Sequence, residues 1–171
     1  MNFLPNAITL MNLAFGSLSL ICTMNHDYHT AAIMIVLAVV MDSMDGRVAR
    51  RLNASGDLGM ELDSLCDLVS FGAAPAILYI AASIGVMSSY TYVDYLGTLI
   101  GTLYVLCGAY RLARFNVLNI HEYFVGIPIT LAGFIVALIY LSAPHIPTLL
   151  MMAIMALLAY LMVSRITIPK L

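Results

Sequence analysis

Apolar residues dominate six runs of this chain, and polar residues are confined to the short gaps between them. Allowing isolated polar positions, the runs cover roughly 5–24, 31–52, 59–85, 92–115, 126–142 and 147–166. About 20 predominantly apolar residues are enough for a helix to cross a bilayer. The gaps are Asn25-His26-Asp27-Tyr28-His29, Asn53 to Asp57, Gly85 to Tyr92, Asn116 to Tyr123 and Ser142 to Pro147. Gaps this short require consecutive helices to run antiparallel. The expected fold is an all-α integral membrane protein, a bundle of six transmembrane helices making a single domain over residues 1–171. The first run has neither a basic leader nor a small-residue cleavage site, so it is expected to remain as a span.

Composition agrees with this pattern: 63% of the residues are hydrophobic, 9% are charged and the mean hydropathy is +1.00, against about 25% charged in an ordinary soluble domain. All seven basic residues, Arg47, Arg50, Arg51, Arg111, Arg114, Arg165 and Lys170, fall near the ends of the second, fourth and sixth runs or the starts of those that follow. The positive-inside rule then puts both termini in the cytoplasm, and a multi-pass protein of the cell membrane is expected, with no nucleic-acid partner. Tyr28, Tyr90, Tyr92 and Tyr95 fit an interfacial belt. Cys22, Cys66 and Cys107 are far apart and fit small buried hydrophobes. His26, His29, His121 and His145 do not converge on a site. Gly97 and Gly101 form a GxxxG, which serves either a close helix or dimer contact or ordinary packing inside the bundle.

One stretch departs from the apolar background. Asp42 to Asp67 holds six of the nine acidic residues and three of the seven basic ones. Asp42 and Asp45 are three apart and Asp63 and Asp67 four apart, so each pair shares a helix face. Asn53-Ala54-Ser55-Gly56 is a turn-forming cluster. The midpoints of the pairs Asp45/Asp63 and Asp42/Asp67 both fall within half a residue of position 54. In an antiparallel hairpin this sets Asp45 level with Asp63 and Asp42 level with Asp67. Four carboxylates can then converge, at a depth where Asp42 is about 15 Å of helix from the end of its run. Ionisable residues at such depth mark function. Oxygen ligands suit Mg²⁺, Mn²⁺ or Ca²⁺ rather than zinc, and two ions bridged by carboxylates suit displacement at phosphorus. Gly46, Ala49 and Gly59 leave room for a ligand, and Arg50 offers a fork of donors to a diphosphate. Asp57 fits a cap for the third helix, or a ligand contact, and Glu61 lies off the pattern.

Asp42-x₂-Asp45-Gly46-x₂-Ala49-Arg50-x₈-Gly59-x₃-Asp63-x₃-Asp67 resembles the signature of the CDP-alcohol phosphatidyltransferase family, with every position filled. The resemblance implies that Asp42, Asp45, Asp63 and Asp67 bind two divalent cations, Mg²⁺ or Mn²⁺, at a site that Ca²⁺ can also occupy. It implies that Asp67 is the catalytic base toward the acceptor hydroxyl, that Gly46, Ala49 and Arg50 meet the CDP group of a CDP-lipid, and that the protein is a homodimer with its chemistry at the cytoplasmic face. The opening segment Pro5-Asn6-Ala7-Ile8-Thr9, with Asn12 and Gly16, is similar to the part of the family that lines the nucleotide pocket, so Asn6 and Thr9 join Gly59 as CDP-lipid contacts. Asn6 can equally cap the first helix.

The acceptor is a separate question. Ser70-Phe71-Gly72-Ala73-Ala74-Pro75, Arg111-Leu112-Ala113-Arg114-Phe115-Asn116 and Phe124-Val125-Gly126-Ile127-Pro128 look like phosphatidylserine synthases, which implies L-serine. Arg111 and Arg114 share a helix face and fit a carboxylate clamp, Arg114 ahead of Arg111, with Asn116 as a neutral partner. The alternative is a helix-end anchor among the head groups of membrane lipids, and arginines would serve a phosphorylated acceptor, glycerol 3-phosphate or inositol 1-phosphate, as well. A divalent-cation transporter would also use intramembrane carboxylates, but the later runs have almost nothing ionisable to continue a path. A purely structural membrane protein leaves the acids unexplained.

Overall fold

The computed structural model describes residues 3–51, 57–83, 92–118, 123–143, 146–164 and 167–169. Among these, six helical rods carry nearly the whole chain: α1 Phe3–Met24, α2 Tyr28–Arg51, a broken rod of α3 Asp57–Asp67 and α4 Ala74–Ser83 joined by a π-helical turn at Leu68–Ala73, then α5 Tyr92–Leu118, α6 Ile129–Ser142 and α7 Thr148–Val163. Helices are the natural choice for a chain whose backbone groups must be satisfied without water. Three of the rods, Asn6–Met24, Leu58–Ser83 and Tyr92–Val117, are long and apolar enough to cross a membrane. This is a membrane protein. α2 is as long as these at 24 residues, but the acids and arginines of its second half interrupt its apolar face.

The fifth and sixth rods are shorter than the apolar pattern predicts, at 14 and 16 residues. Gly126 has φ +78°, a left-handed conformation that ends one element before the next begins. Pro128 then caps α6, so the helix starts at Ile129 and not at 126. The chain before it is extended: β1 Tyr123–Val125 pairs antiparallel with β2 Thr167–Pro169 in a two-stranded ribbon. Pattern reasoning leaves both segments unassigned. The expected turn at Asn53–Gly56 and the gap after Gly85 lie outside the described residues, as do His121, His145, Arg165 and Lys170.

α1 reverses tightly into α2. His26 takes a left-handed conformation at φ 59°, and the Asp27 N–H donates back to the Cys22 carbonyl at 3.0 Å, closing a Schellman-type end. Asp27 then accepts from the Thr30 N–H at 3.1 Å and caps α2. The same contacts with Thr30 hold its carboxyl below the usual carboxylate range.

α1 runs along α2 and against the broken rod, α5 along α7, and α6 across α2 and the π turn. The core between them is built on Ile35, Phe71, Leu78, Tyr79, Tyr104, Val136, Met151, Met155 and Met162. Gly101 belongs to this packing: a side chain there would meet Ile80 and Tyr79 of the same chain.

Candidate active site

The site is built where α2 faces α3. One carboxylate oxygen each from Asp42, Asp63 and Asp67 lie within 4.8 Å of one another. Asp42 and Asp67 are in hydrogen-bonding contact, and the charges of Asp45 and Asp42 both act on Asp63. Asp45 and Asp67 are buried, and Asp42 and Asp63 are partly so. Like charges gathered this closely repel strongly unless a counter-charge sits among them. Two buried oxygens, Asp45 Oδ2 and Asp63 Oδ1, make no hydrogen bond among the described residues, although buried polar atoms are ordinarily paired. Unpartnered carboxylate oxygens converging from two helices fit hard divalent cations.

α1 supplies the third wall. The buried Thr9 hydroxyl is hydrogen-bonded to Asp45, and Asn6 stands opposite Gly59, where an added Cβ would lie 3.5 Å from Asn6 Oδ1. Asn12 is fully buried and donates from Nδ2 to Asp67 Oδ1 at 3.1 Å, while its own Oδ1 has no partner among the described residues. α1 comes this near because Gly16 lies against Ser70, where a Cβ would fall 2.8 Å from Ser70 Cα. The Ser70 hydroxyl in turn donates to the Asn12 carbonyl at 3.1 Å. Gly46 is exposed, and no described residue stands within 4 Å of where its Cβ would be. It opens the α2 wall to a ligand. The side chains of Ala49, Arg50 and Asp57 lie outside the described residues.

Thr130, at the start of α6, is hydrogen-bonded to Asp42. The sequence offers little to connect these two residues, which are far apart along the chain. The only cue is a hydroxyl just after the Gly-Ile-Pro break, where a helix start turns inward.

On the remaining side, α5 brings Arg111, only 8% exposed, close enough for its charge to act on Asp67. Its Nε is buried without a hydrogen-bond partner among the described residues. Arg114, which the sequence ranks first, is turned toward α7: Nη1 donates to the Val163 carbonyl at 3.4 Å and the guanidinium lies 6.0 Å from the Tyr110 ring centre. Asn116 is committed to α3, donating to Ser64 Oγ at 3.0 Å and reaching Glu61 Oε1 at 3.5 Å. It ties the end of α5 to the helix that carries Asp63 and Asp67.

A cluster of carboxylates between the helices of a membrane protein, with a guanidinium nearby, suits a divalent cation and an anionic ligand. Residues 2–164 match the model of the CDP-alcohol phosphatidyltransferase family, and the chain belongs to that family. It is 38% identical over 170 residues to the CDP-diacylglycerol–serine O-phosphatidyltransferase of Bacillus subtilis, covering 99% of this chain and 91% of that one. To the archaetidylserine synthase of Methanothermobacter thermautotrophicus it is 37% identical, covering 98% of this chain and 70% of that one. A CDP-diacylglycerol–serine O-phosphatidyltransferase of Helicobacter pylori is 34% identical, covering 97% and 71%.

Proposed function

We propose that this protein transfers the phosphatidyl group of a CDP-activated lipid, CDP-diacylglycerol or its archaeal equivalent, to the hydroxyl of L-serine and releases CMP, a step of phospholipid synthesis. The observation that carries the reading is the meeting of Asp42, Asp63 and Asp67 oxygens within 4.8 Å, at the positions of the family signature and with Asp45 beside them. The names of the relatives favour serine.

Asp42, Asp45, Asp63 and Asp67 would hold two divalent cations, Mg²⁺ or Mn²⁺. Such ions, when bound, neutralise the diphosphate and the charge that develops on the departing CMP. Asp67 takes the proton from the serine hydroxyl. That oxygen attacks the β-phosphorus of the CDP-lipid, and the bond from this phosphorus to the oxygen bridging to CMP breaks. Asn12 holds the carboxylate of Asp67 in place. Gly46, Gly59, Asn6, Thr9 and Arg50 receive the CDP group, Ala49 leaving space for it. Arg111 receives the serine carboxylate, supported by its unpartnered Nε and its proximity to Asp67. Arg114 and Asn116 frame that pocket by fixing the end of α5. Six spans with both termini in the cytoplasm, chemistry facing the cytoplasm, and a homodimer in the cell membrane complete the reading.

A buried guanidinium also suits a phosphorylated polyol, so the test is an acceptor screen. Purified protein with CDP-diacylglycerol and Mn²⁺ is expected to release CMP when serine is supplied. Release that tracks glycerol 3-phosphate or inositol 1-phosphate and ignores serine would overturn the choice of acceptor and leave the chemistry standing.

A further inference from the structure

The π turn at Leu68–Ala73 begins at the residue after Asp67. Its one extra residue, compared with an α-helical turn, rotates α3 by about 100° relative to α4. The direction in which α3 presents Asp63 and Asp67, given how α4 packs, therefore depends on this turn keeping its register. Such turns recur at functional sites. Here the Ala74 N–H reaches back to the Val69 carbonyl, one residue farther than an α-helix would. Pro75 has no N–H at all, so the Phe71 carbonyl, four residues before it, lacks its α-helical donor. A buried carbonyl left so is costly.

Tyr104 answers that vacancy. It is fully buried on α5, and its hydroxyl donates to the Phe71 carbonyl at 2.9 Å. Gly133 on α6 lets the backbone of the turn come close, since a Cβ there would lie 2.9 Å from Phe71 Cα. On the opposite side Ser70 is bonded to the Asn12 carbonyl, and Asn12 to Asp67. The turn is thus gripped by α1 on one side and by the Tyr104 hydroxyl on the other.

Resting on the assignment of Asp67 as the base within a cation site, we propose that Tyr104 is a positioning residue. Its hydroxyl, paired with the missing N–H of Pro75, holds the π register that aims Asp67 at Asp42 and Asp63. It touches no substrate and acts through the backbone of Phe71.

Two variants that affect stability oppositely test this. Tyr104→Phe removes only the hydroxyl. Pro75→Ala returns an N–H that competes for the Phe71 carbonyl and favours a plain α-helix, with stability kept or raised. Both are expected to lower kcat for CMP release at least tenfold and to raise the Mn²⁺ concentration for half-activation several-fold, with KM for CDP-diacylglycerol within twofold of wild type. Tyr140→Phe removes a comparable buried hydroxyl, one bonded to Ser83 at 2.9 Å, and should leave all three values unchanged. The proposal is overturned if either folded variant keeps kcat and half-activation within twofold of wild type, or if Tyr140→Phe loses as much as Tyr104→Phe. Asp67→Asn in the same assay separates the two levels. If it is inactive while Tyr104→Phe and Pro75→Ala behave as wild type, only the positioning role fails. If Asp67→Asn turns over normally, the assignment of the base fails and the positioning role with it.

Discussion

Asp67 owes its setting to residues from three other helices. Asn12, 55 positions earlier, gives it an amide hydrogen at 3.1 Å. Asp42 contacts it from α2, and Arg111 adds a positive charge from α5. A base must be held in reach of the proton it takes, and general-base catalysis contributes roughly 10²- to 10⁴-fold. Asp67→Asn keeps the shape and loses the basic oxygen, so CMP release should fall by at least about a hundredfold; near-normal turnover in detergent would remove Asp67 as the base. Asn12→Leu keeps the same branched heavy-atom outline, with somewhat more bulk, but withdraws the donor. A hydrogen bond to a charged group is worth about 1.5–3 kcal/mol, which bounds the expected fall in kcat at roughly ten- to a hundredfold. Steady-state kinetics should show that fall with KM for the CDP-lipid little changed, because the Asn12 amide donates to Asp67, the proposed base. A rise in KM alone would place Asn12 among the nucleotide contacts instead.

Among the elements, the glycines divide into those that let helices meet and one that keeps a wall open. Gly16 lies against the backbone of Ser70, whereas Gly46 faces no described residue within 4 Å. Gly16→Val forces α1 away from the π turn, and overpacking of this kind costs about 1–3 kcal/mol. The thermal unfolding midpoint should drop and activity with it. Gly46→Ala should leave that midpoint unchanged or raise it, because alanine is the better helix former by about 1 kcal/mol. If the CDP group lies against Gly46, the same substitution raises KM for the CDP-lipid. An unchanged KM would move the nucleotide off that wall. The sequence carried the acids and the opening glycines plainly, because charge and small residues stand out in an apolar chain and helical spacing fixes which of them share a face. It did not carry the π turn. Pro75 is its signal, but a proline in a long apolar run is also compatible with a simple kink, and the partner it calls for, Tyr104, comes from another helix. Thr130 was hidden for the same reason. Helical spacing puts Arg111 and Arg114 on one face, so it could not show that Arg114 reaches the Val163 carbonyl of α7 while Arg111 is buried near Asp67. The ribbon of β1 and β2 joins segments too short to show a period.

At the scale of the whole molecule, the charge pattern poses a stability problem that binding would relieve. α1, α2 and the broken rod are packed together around the three converging carboxylates of Asp42, Asp63 and Asp67, with Asp45 acting on Asp63 beside them, and the same contacts that bring the helices together bring the charges together. A divalent cation bound to the folded state alone stabilises it by mass action, about 2.7 kcal/mol at a hundred times its dissociation constant. The fold and the site should therefore be linked thermodynamically. Protein stripped with a chelator should be inactive and melt at a lower temperature, and Mn²⁺ or Mg²⁺ should restore both over the same concentration range. Asp42→Asn and Asp63→Asn each remove one of the repelling charges, so the stripped variants should melt at or above the stripped wild type while responding weakly to Mn²⁺. This inverted ranking distinguishes a cation site from a structural network of acids, in which losing a charged member would destabilise the protein with or without metal. Equal responses to Mn²⁺ from wild type and both variants would exclude these carboxylates as the ligands, and a wild type indifferent to chelation in both melting and turnover would exclude the cation itself.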